Sequence, residues 1–278
     1  MNKNPPLRLQ PDLDNHALTT SVRGIDENGL LIEVDVVTEK PLTLYLNAQE
    51  IVTMMTIGDH PDLLAVGYLK NQNMLRDDDI LTAIEVDEEL NLVVVRTERE
   101  TDYEAVMRKK VRTSGCAQGT IFGEVLDGFD KMRLREDTKV SSDQLIRLSK
   151  IINTTPSLYL KAGAIHGCAL ATADAPLVYV EDVGRHNAVD KIAGWMHLND
   201  VNGGDKIFYT TGRLTSEMVI KTVLMGIPIL VSRSGFTAWG VELARKAGLT
   251  LIGRMRGKRF TLLSGQERLV RSASGKGD

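Results

Sequence analysis

From Ser141 onward the chain alternates between strand-like and helical segments, and few folds accommodate that order. The strand-like runs are residues 177–180, 207–209, 229–231 and 249–252, and the helical runs are residues 187–196, 216–225 and 238–246. Ser141-Ser-Asp-Gln144 is a capping box, and apolar residues with helical spacing follow it. This alternation predicts an α/β layer with a largely parallel sheet and crossover helices.

The first half of the chain is predicted to be rich in β-strands. Strand-like runs occupy residues 31–37, 42–46 and 92–96, and residues 61–69 are typical of a short helix that opens with proline. Residues 1–20 and 272–278 are polar and are expected to be frayed ends. A length of 278 residues suits two domains. We predict an α+β protein, with a β-rich domain at residues 21–137 and an α/β domain at residues 138–271.

Composition argues against several classes of protein. A net charge of −3 and a pI near 6.0 do not suit a general nucleic-acid or anionic-membrane binder. No run approaches the roughly 18 apolar residues that cross a bilayer, and the first residues lack an apolar signal region. We therefore expect a soluble, cytoplasmic protein. Two cysteines without CxxC spacing and five scattered histidines predict no zinc site.

Cys116 lies in the polar run of residues 112–119, within a stretch from about residue 108 to residue 128 that has neither helical nor strand periodicity and is predicted to be a loop. Two lysines and an arginine precede it, and nearby cations favour a thiolate. Cys116 is therefore a candidate nucleophile, although most lone cysteines are small buried side chains. Cys168 lies in an apolar run and is predicted to belong to the core.

The segment of residues 181–191 is the densest candidate site, with seven polar or ionisable residues in eleven positions. It directly follows a predicted strand, where ligands commonly bind in open α/β sheets. Arg185 and His186 are expected to face an anionic or heterocyclic ligand there. The alternative is a capped helix start with surface ion pairs.

Two more polar turns follow the next predicted strands. Residues 211–217 place Arg213 after a glycine, and residues 232–237 begin with Ser232 and add another cation. Each turn alone is common at a strand-to-helix junction. Three of them at one edge of a sheet predict a ligand pocket.

Residues 254–259 contain four cations around Gly257. Arginine forks pair with phosphate oxygens and glycine allows close approach of the backbone, so this segment is typical of a diphosphate site. A solvated basic hairpin edge is an equal alternative. The signatures of a zinc deaminase and of a P-loop are absent from the sequence. A hydrolase that pairs Cys116 with His166 or His186 has no local signature.

Together these motifs resemble those of the FdhD family of formate dehydrogenase accessory proteins. The resemblance runs from about Val36 to Leu263, and its motifs are residues 181–194, 211–221, 226–234 and 248–260. It implies a cytidine-deaminase-like C-terminal domain without the deaminase metal. It also implies a sulfurtransferase that accepts persulfide sulfur from a cysteine desulfurase on Cys116. The sulfur would pass to the molybdenum cofactor before that cofactor enters formate dehydrogenase.

The resemblance also implies which cofactor is carried and which residues hold it. The cofactor would be bis-molybdopterin guanine dinucleotide, with GDP as a fragment ligand. The residues expected to bind it are Arg254, Met255, Arg256, Gly257, Lys258, Arg259, Arg185, His186, Arg213 and Ser232. Asp182, Asn187 and Ser232 are candidates for recognition of guanine. A homodimer is the default expectation.

The chain departs from the family pattern in its sulfur loop, which usually reads Ser-Gly-Cys-Gly-x-Cys-Gly. Cys116 matches the first cysteine, but Gly119 stands where the second would be and Ala117 replaces a glycine. One thiolate suffices to hold a persulfide, yet a resolving thiol is missing. A cofactor chaperone without sulfur transfer is therefore a rival interpretation. Elsewhere, Phe236 stands for a proline and Arg254 for a phenylalanine.

Overall fold

A computed structural model describes residues 7–76, 78–99, 110–112, 120–122, 129 and 132–270. Within these residues the chain has the mixed α/β architecture that the sequence predicts. Its helices are α1 (Pro61–Asn71), α2 (Ser142–Thr154), α3 (Leu158–Ala162), α4 (Arg185–Leu198), α5 (Ser216–Leu224) and α6 (Ala238–Lys246). Among the described residues no helix is both long and apolar enough to cross a membrane.

The first six strands form two separate sheets. The strands are β1 (Thr19–Ile25), β2 (Leu31–Val37), β3 (Lys40–Leu46), β4 (Gln49–Thr56), β5 (Leu81–Asp87) and β6 (Leu92–Thr97). Strands β1 and β2 pair as a ribbon, and the other four form a sheet of order β4-β3-β6-β5. The expected fraying of residues 1–20 is wrong for residues 7–20, because Leu9 bridges to Val178 and Leu18 is buried.

Two short strands, β7 (Lys110–Arg112) and β8 (Thr120–Phe122), lie in the segment that the sequence predicts to be a loop. They pair antiparallel, with Lys110 opposite Phe122. The sequence does not predict this pair, because three-residue strands are too short to show a periodicity. Cys116 lies between them and outside the described residues, so its position in a loop stays a prediction.

A six-stranded sheet forms the second half of the chain. In spatial order its strands are β11 (Pro176–Asp182), β10 (His166–Ala171), β12 (Ile207–Thr210), β13 (Ile229–Ser232), β14 (Thr250–Arg256) and β15 (Arg259–Ser264). Strands β12, β13 and β14 are parallel, whereas β10 and β15 run antiparallel to their neighbours. The sheet is therefore mixed rather than largely parallel. The remaining strands, β9 (Val140–Ser141) and β16 (Leu269–Val270), pair with each other.

Helices cover both faces of this sheet. On one face α2 contributes Leu145, Leu148 and Ile152 to a core cluster with Tyr209 and Val231. Its start is the predicted capping box, in which Ser141 and Gln144 bond each other's backbone N–H. The other face is covered by α4, α5 and α6 through a second and larger cluster, and α1 packs against α4 within that cluster.

The larger cluster also joins the two halves of the chain. It contains Leu44 from the four-stranded sheet and Val189 from α4. Helices α1 and α4 touch through their backbones: a Cβ atom on Gly67 would lie 1.7 Å from Asp190 O, and one on Gly194 would lie 2.0 Å from Leu63 O. The two sheets thus share one continuous core. The domain limits at residues 21–137 and 138–271 stay a prediction.

Candidate functional site

The three polar turns lie side by side at one edge of the six-stranded sheet. Strands β11, β12 and β13 all end there, and β10, which runs the opposite way, begins there with His166. Ser232 Oγ donates to Gly212 O at 2.6 Å, which ties the turn after β13 to the turn after β12. Thr211 Oγ1 accepts a hydrogen bond of 3.0 Å from Gly167 N and links in β10. These hydrogen bonds link the turns into one continuous polar edge, which is called the crevice here.

Much of the dense motif at residues 181–191 faces the first half of the chain and not the crevice. Asp182 is fully buried, and its Oδ2 accepts from Thr56 Oγ1 at 2.5 Å and lies 2.6 Å from Lys191 Nζ. Lys191 also pairs with Asp59. These buried hydrogen bonds and ion pairs connect the C-terminal sheet to strand β4 and to the start of α1.

Further buried bonds follow along α4. Asn187 Nδ2 donates to Met55 O at 2.7 Å and to Asp182 Oδ1 at 2.9 Å. Asp190 binds Lys221 at 2.8 Å and accepts from Asn71 Nδ2 at 2.6 Å. The expectation that Asp182 and Asn187 recognise guanine is therefore wrong, since their polar atoms are used in buried contacts.

Arg185 and His186 lie at the crevice end of the motif. Arg185 is half-buried at the start of α4, and Arg213, in the turn after β12, is exposed. His186 Nε2 lies 3.2 Å from the buried Glu217 Oε2. Burial above all, and then the positive charges of Lys221 and Arg185, lower the pKa of His186 to about 2. The imidazole is thus neutral at physiological pH.

His166 is a second neutral imidazole in the crevice. Its Nδ1 is 3.3 Å from Thr211 Oγ1. Burial, followed by the charges of Arg185 and Arg213, lowers its pKa. The local sequence does not single out His166 as a ligand residue, because the short apolar run after it gives no sign that a strand begins at this edge. The guanidinium groups of Arg185 and Arg213 at this edge suit an anion, whereas Nε2 of His186 faces the buried carboxylate of Glu217.

Buried neutral histidine makes stability depend on pH. Because the pKa of His186 is far below the value of about 6.5 in an unfolded chain, the unfolded state binds the extra proton first. The contribution of neutral His186 to the free energy of unfolding is therefore complete above a pH of about 6.5 and decreases as the pH falls below that value. Acidification from pH 7 to 5 should lower the free energy of unfolding by about 2 kcal/mol through this residue. Urea denaturation of wild type and His186→Gln at both pH values measures it, and an equal loss in both proteins would contradict the assignment.

A basic pocket of about 800 Å³ lies at the far end of the same edge. Its lining residues are Arg233, Ser234, Arg254, Arg256, Lys258, Arg259, Phe260 and Thr261. Strands β14 and β15 form a hairpin there, and Gly257, with φ of +58°, makes the turn between Arg256 and Arg259. Both sequence interpretations hold geometrically: the segment is a basic hairpin, and it walls a pocket. Five cations and no carboxylate line it, so it suits a polyanion.

Two of the five cations are held in place by aromatic rings. The Arg233 guanidinium lies 5.4 Å from the Tyr159 ring centroid, and its Nη1 donates to Asn153 Oδ1 at 3.3 Å. The Arg254 guanidinium lies 5.2 Å from the Phe236 ring centroid. A braced guanidinium loses less conformational freedom when it binds a phosphate. The sequence analysis counts the cation of this turn but does not place Arg233 among the binding residues, because its bracing partners are distant in sequence.

Two of the predicted binding residues have their side chains elsewhere. Met255 is almost fully buried and packs in the core cluster under α2. Ser232 is fully buried, and its hydroxyl also accepts from Ser234 N at 2.9 Å. Met255 packs and Ser232 holds two turns together, so neither side chain is available to a ligand in the basic pocket.

The remaining predicted residues fall into two groups. Arg254, Arg256, Gly257, Lys258 and Arg259 form the hairpin of the basic pocket, whereas Arg185, His186 and Arg213 lie beside strands β11 and β12. With a strand spacing of about 4.8 Å, the four steps from β11 to β14 amount to about 19 Å. Only a ligand longer than a mononucleotide reaches both groups.

Metal binding has no support in the described part of the chain, where no group of three or more His, Cys, Asp or Glu side chains is placed to hold an ion. The expectation of no zinc site stays a prediction. Elemental analysis of the purified protein tests it.

Fold and site together define a mixed α/β protein with a basic pocket at its sheet edge. The family model described as FdhD/NarQ matches residues 37–270. This chain therefore belongs to the FdhD/NarQ family.

Several proteins described as sulfur carrier protein FdhD are similar to it. That of Bacillus subtilis strain 168 is 30% identical over 259 residues, which cover 90% of this chain and 97% of that relative. That of Listeria innocua is 30% identical over 243 residues, which cover 86% and 93%. A crystal structure described as a formate dehydrogenase accessory protein from Desulfotalea psychrophila matches with a TM-score of 0.74 at 26% identity, covering 91% of this chain and 98% of that one.

Proposed function

We propose that this chain is a sulfur carrier that serves formate dehydrogenase, and that it accepts persulfide sulfur from a cysteine desulfurase on Cys116. The observation that carries the proposal is its similarity, over 90% of its length, to a relative named as a sulfur carrier. The crystal structure described as a formate dehydrogenase accessory protein supports the client. We further propose that the protein acts in the cytoplasm and as a homodimer.

The structure supports Cys116 through the state of the other cysteine. Cys168 is fully buried in β10, and its Sγ lies 3.4 Å from Thr210 Oγ1. Burial raises the pKa of the Cys168 thiol to about 12, so it stays protonated at neutral pH. Since the thiolate is the nucleophile, a buried and protonated Cys168 is poorly suited to accept sulfur, which supports Cys116 as the acceptor. Cys116 is the only other cysteine in the sequence.

One cysteine is chemically sufficient for loading. The Cys116 thiolate attacks the terminal sulfur of the donor persulfide, and a bond forms between Cys116 Sγ and that sulfur. The sulfur–sulfur bond of the donor breaks, and the donor cysteine leaves as a thiolate with the bonding electron pair. The exchange has no net change in oxidation state. The absence of a second loop cysteine at Gly119 is therefore compatible with sulfur loading.

The cargo of the basic pocket is proposed to be the guanine dinucleotide form of the molybdenum cofactor, bis-molybdopterin guanine dinucleotide. Its diphosphates would pair with the braced Arg233 and Arg254 and with Arg256, Lys258 and Arg259. Arg185, Arg213 and the two imidazoles would contact a second part of the same long ligand. The support is the charge of the pocket and the length of the polar edge.

Mass spectrometry after incubation with a cysteine desulfurase and cysteine tests the sulfur chemistry. We expect a gain of one sulfur atom on a peptide that contains Cys116, and transfer of labelled sulfur into formate dehydrogenase. A chain that binds the cofactor and gains no sulfur would instead be a cofactor chaperone. A Cys/His hydrolase would turn over substrate without keeping sulfur.

Replacement of Arg256 by alanine should weaken binding of GDP, the fragment of the proposed cargo, by about 1–3 kcal/mol, because a charge-assisted phosphate contact is lost. Binding of GDP to the wild type should weaken as salt is added. Isothermal titration calorimetry with GDP and ADP measures both effects. Lys246→Ala, outside the pocket lining, is the matched control. Equal weak binding of both nucleotides, unchanged in Arg256→Ala, would mean that the basic hairpin is only a solvated edge.

A further inference from the structure

Helices α4 and α5 begin side by side at the crevice, and their first turns touch. A Cβ atom on Gly212, in the turn before α5, would lie 3.0 Å from Cβ of Arg185, the first residue of α4. His186 Nε2 lies 3.2 Å from Oε2 of Glu217, and these are the second residues of the two helices. Two helix N-termini therefore lie in contact with each other at one edge of the sheet.

Neither of these N-termini is capped by the side chain of its N-cap residue. The N-cap residue of α4 is Gly184, and that of α5 is Thr215, whose hydroxyl accepts no hydrogen bond from the first turn. By contrast, the N-cap side chains of α2, α3 and α6 each accept a hydrogen bond from the first turn of their helix. The first amides of a helix have no partner within it and carry a partial positive charge. Both helices therefore present amides that suit an anionic acceptor.

The Thr215 hydroxyl points to a ligand independently of the amides. Thr215 is only 7% exposed, yet its Oγ1 has no hydrogen-bond partner in the described part of the chain. Burying a hydroxyl without a partner costs free energy, and such groups are uncommon in folded proteins. Because Thr215 is the N-cap residue of α5, this hydroxyl lies at the same helix end as the first amides. It can donate to an acceptor that binds there.

Two guanidinium groups add positive charge beside the two helix ends. Arg185 is half-buried at the start of α4, and Arg213 is exposed two residues before Thr215. Both lie close enough to His166 for their charges to lower its pKa, after the larger effect of burial. Arg213 has no ion-pair partner among the described residues. Its guanidinium is therefore available to an anion from solution.

Two carboxylates, Asp182 and Glu217, lie close to these helix ends and oppose an anion. Asp182 Oδ2 is 2.6 Å from Lys191 Nζ, so its charge is paired. Glu217 Oε1 is 3.8 Å from Lys221 Nζ, but Lys221 lies closer to Asp190, at 2.8 Å. Even if the charge of Glu217 is counted in full, the two guanidinium groups and the two helix ends, of about half a charge each, leave a net charge of about +2.

We propose that the crevice is an oxyanion site, which holds a tetrahedral dianion on the first amides of α4 and α5, with Arg213 and the Thr215 hydroxyl as side-chain donors. Helix N-termini and guanidinium groups are the usual partners of phosphate and sulfate oxygens in proteins. The site is separate from the basic pocket, whose cations lie on the turn after β13 and on the β14–β15 hairpin. The dianion is either a free inorganic oxyanion or a phosphate group of a larger ligand. Only the second source rests on the proposed function, in which the cofactor carries two diphosphate groups.

A sulfate titration of the full chain, followed by ¹H–¹⁵N NMR, tests the proposal at the two helix ends. Sulfate is the probe because it stays a dianion at neutral pH. The backbone amide signals of His186 and Glu217 should shift and reach saturation with sulfate, and sodium chloride at equal ionic strength should not reproduce the shift.

Variants then test the side-chain donors. Arg213→Gln should raise the dissociation constant for sulfate, measured from these signals, by about tenfold or more. Thr215→Val removes the hydroxyl at nearly constant volume and should weaken binding in the same direction. Arg147→Gln removes the same charge from an exposed position on α2 and is the matched control, which should bind sulfate as the wild type does.

A second titration, in the presence of saturating GDP, distinguishes the two sources of the dianion. If sulfate still shifts the amide signals of His186 and Glu217, the crevice binds a free oxyanion apart from the nucleotide. If GDP itself shifts these signals and blocks sulfate, the natural dianion is a phosphate group of a nucleotide. Either result supports the oxyanion site, and desulfurase-dependent sulfur loading, measured separately, decides the carrier role.

Several results would overturn the proposal. Amide signals of His186 and Glu217 that do not move, or that move without saturation, would mean that no anion binds at the two helix ends. Shifts that sodium chloride reproduces would mean a general effect of ionic strength. Equal weakening in Arg213→Gln and Arg147→Gln would mean that net charge, and not the crevice, controls binding. Signals of the four-stranded sheet that coincide with those of the wild type confirm that each variant is folded.

Discussion

Replacement of Lys191 by methionine is expected to lower the free energy of unfolding by about 3–5 kcal/mol, because removing one partner of a buried ion pair leaves the other charge buried and unpaired. The ammonium of Lys191 is fully buried between Asp182 and Asp59. Folded domains are stable by only about 5–15 kcal/mol, so this loss approaches the whole margin. The lost ion pairs join the two halves of the chain, so the two halves should unfold together.

Urea denaturation followed by circular dichroism measures this loss. Lys150→Met is the matched control, since Lys150 is exposed on α2, and it should change the free energy of unfolding by no more than about 0.5 kcal/mol. Adding Asp182→Asn to Lys191→Met should recover part of the stability, because it removes one of the stranded charges. If Lys191→Met behaves like the control, the buried pairs do not hold the halves together.

The helices of the second half could be predicted from the sequence because their signals are local. The range 238–246 matches α6, and the capping box before α2 forms as its pattern indicates. These features depend on residues within one or two turns of each other. Strand direction is different, since it depends on which strands pair. The sequence therefore gives no indication that β10 runs against its neighbours, and the sheet is mixed as a result.

The candidate site could be predicted only in part, for a similar reason. A dense polar motif after a strand has the same local sequence whether it faces a ligand or a neighbouring layer. The partners of Asp182 and Lys191 are Thr56 and Asp59, which lie more than a hundred residues earlier in the chain. Because of these distant contacts, most of the motif is buried at the junction between the two halves of the chain. Arg185 and His186 are the part of it that lies in the crevice.

By contrast, the cluster of cations that the sequence predicts does line a pocket. This segment can be recognised in the sequence because four cations in six positions are unusual in a slightly acidic chain. The bracing of Arg233 by Tyr159 cannot be predicted from the sequence, because the two residues meet only in the folded chain, and the contact of Arg254 with Phe236 arises in the same way. The sequence thus predicts where the cations cluster, and the structure shows that Arg233 and Arg254 are the two held by aromatic rings.

Replacement of Cys116 by serine is expected to abolish desulfurase-dependent sulfur loading entirely, because a serine hydroxyl cannot form a persulfide. Because the sequence predicts a polar loop around Cys116, the change should lower the free energy of unfolding by no more than about 0.5 kcal/mol. Labelled-sulfur transfer followed by peptide mass spectrometry measures the loading, and thermal unfolding measures the stability. Formate dehydrogenase matured with this variant should lack activity.

Cys168→Ser should show the reverse pattern and serves as the matched control. Cys168 is fully buried, and a serine hydroxyl there is close to Thr210 Oγ1 but otherwise surrounded by apolar side chains. The cost of burying that polar group should be about 1–3 kcal/mol, while sulfur loading stays at the wild-type level. Loading depends on a thiolate, and the pKa of the Cys168 thiol, raised by burial to about 12, removes that species at neutral pH. Label found on Cys168, or sulfur loading that survives in Cys116→Ser, would place the sulfur chemistry on the fully buried Cys168. The proposed carrier role of Cys116 would then be wrong.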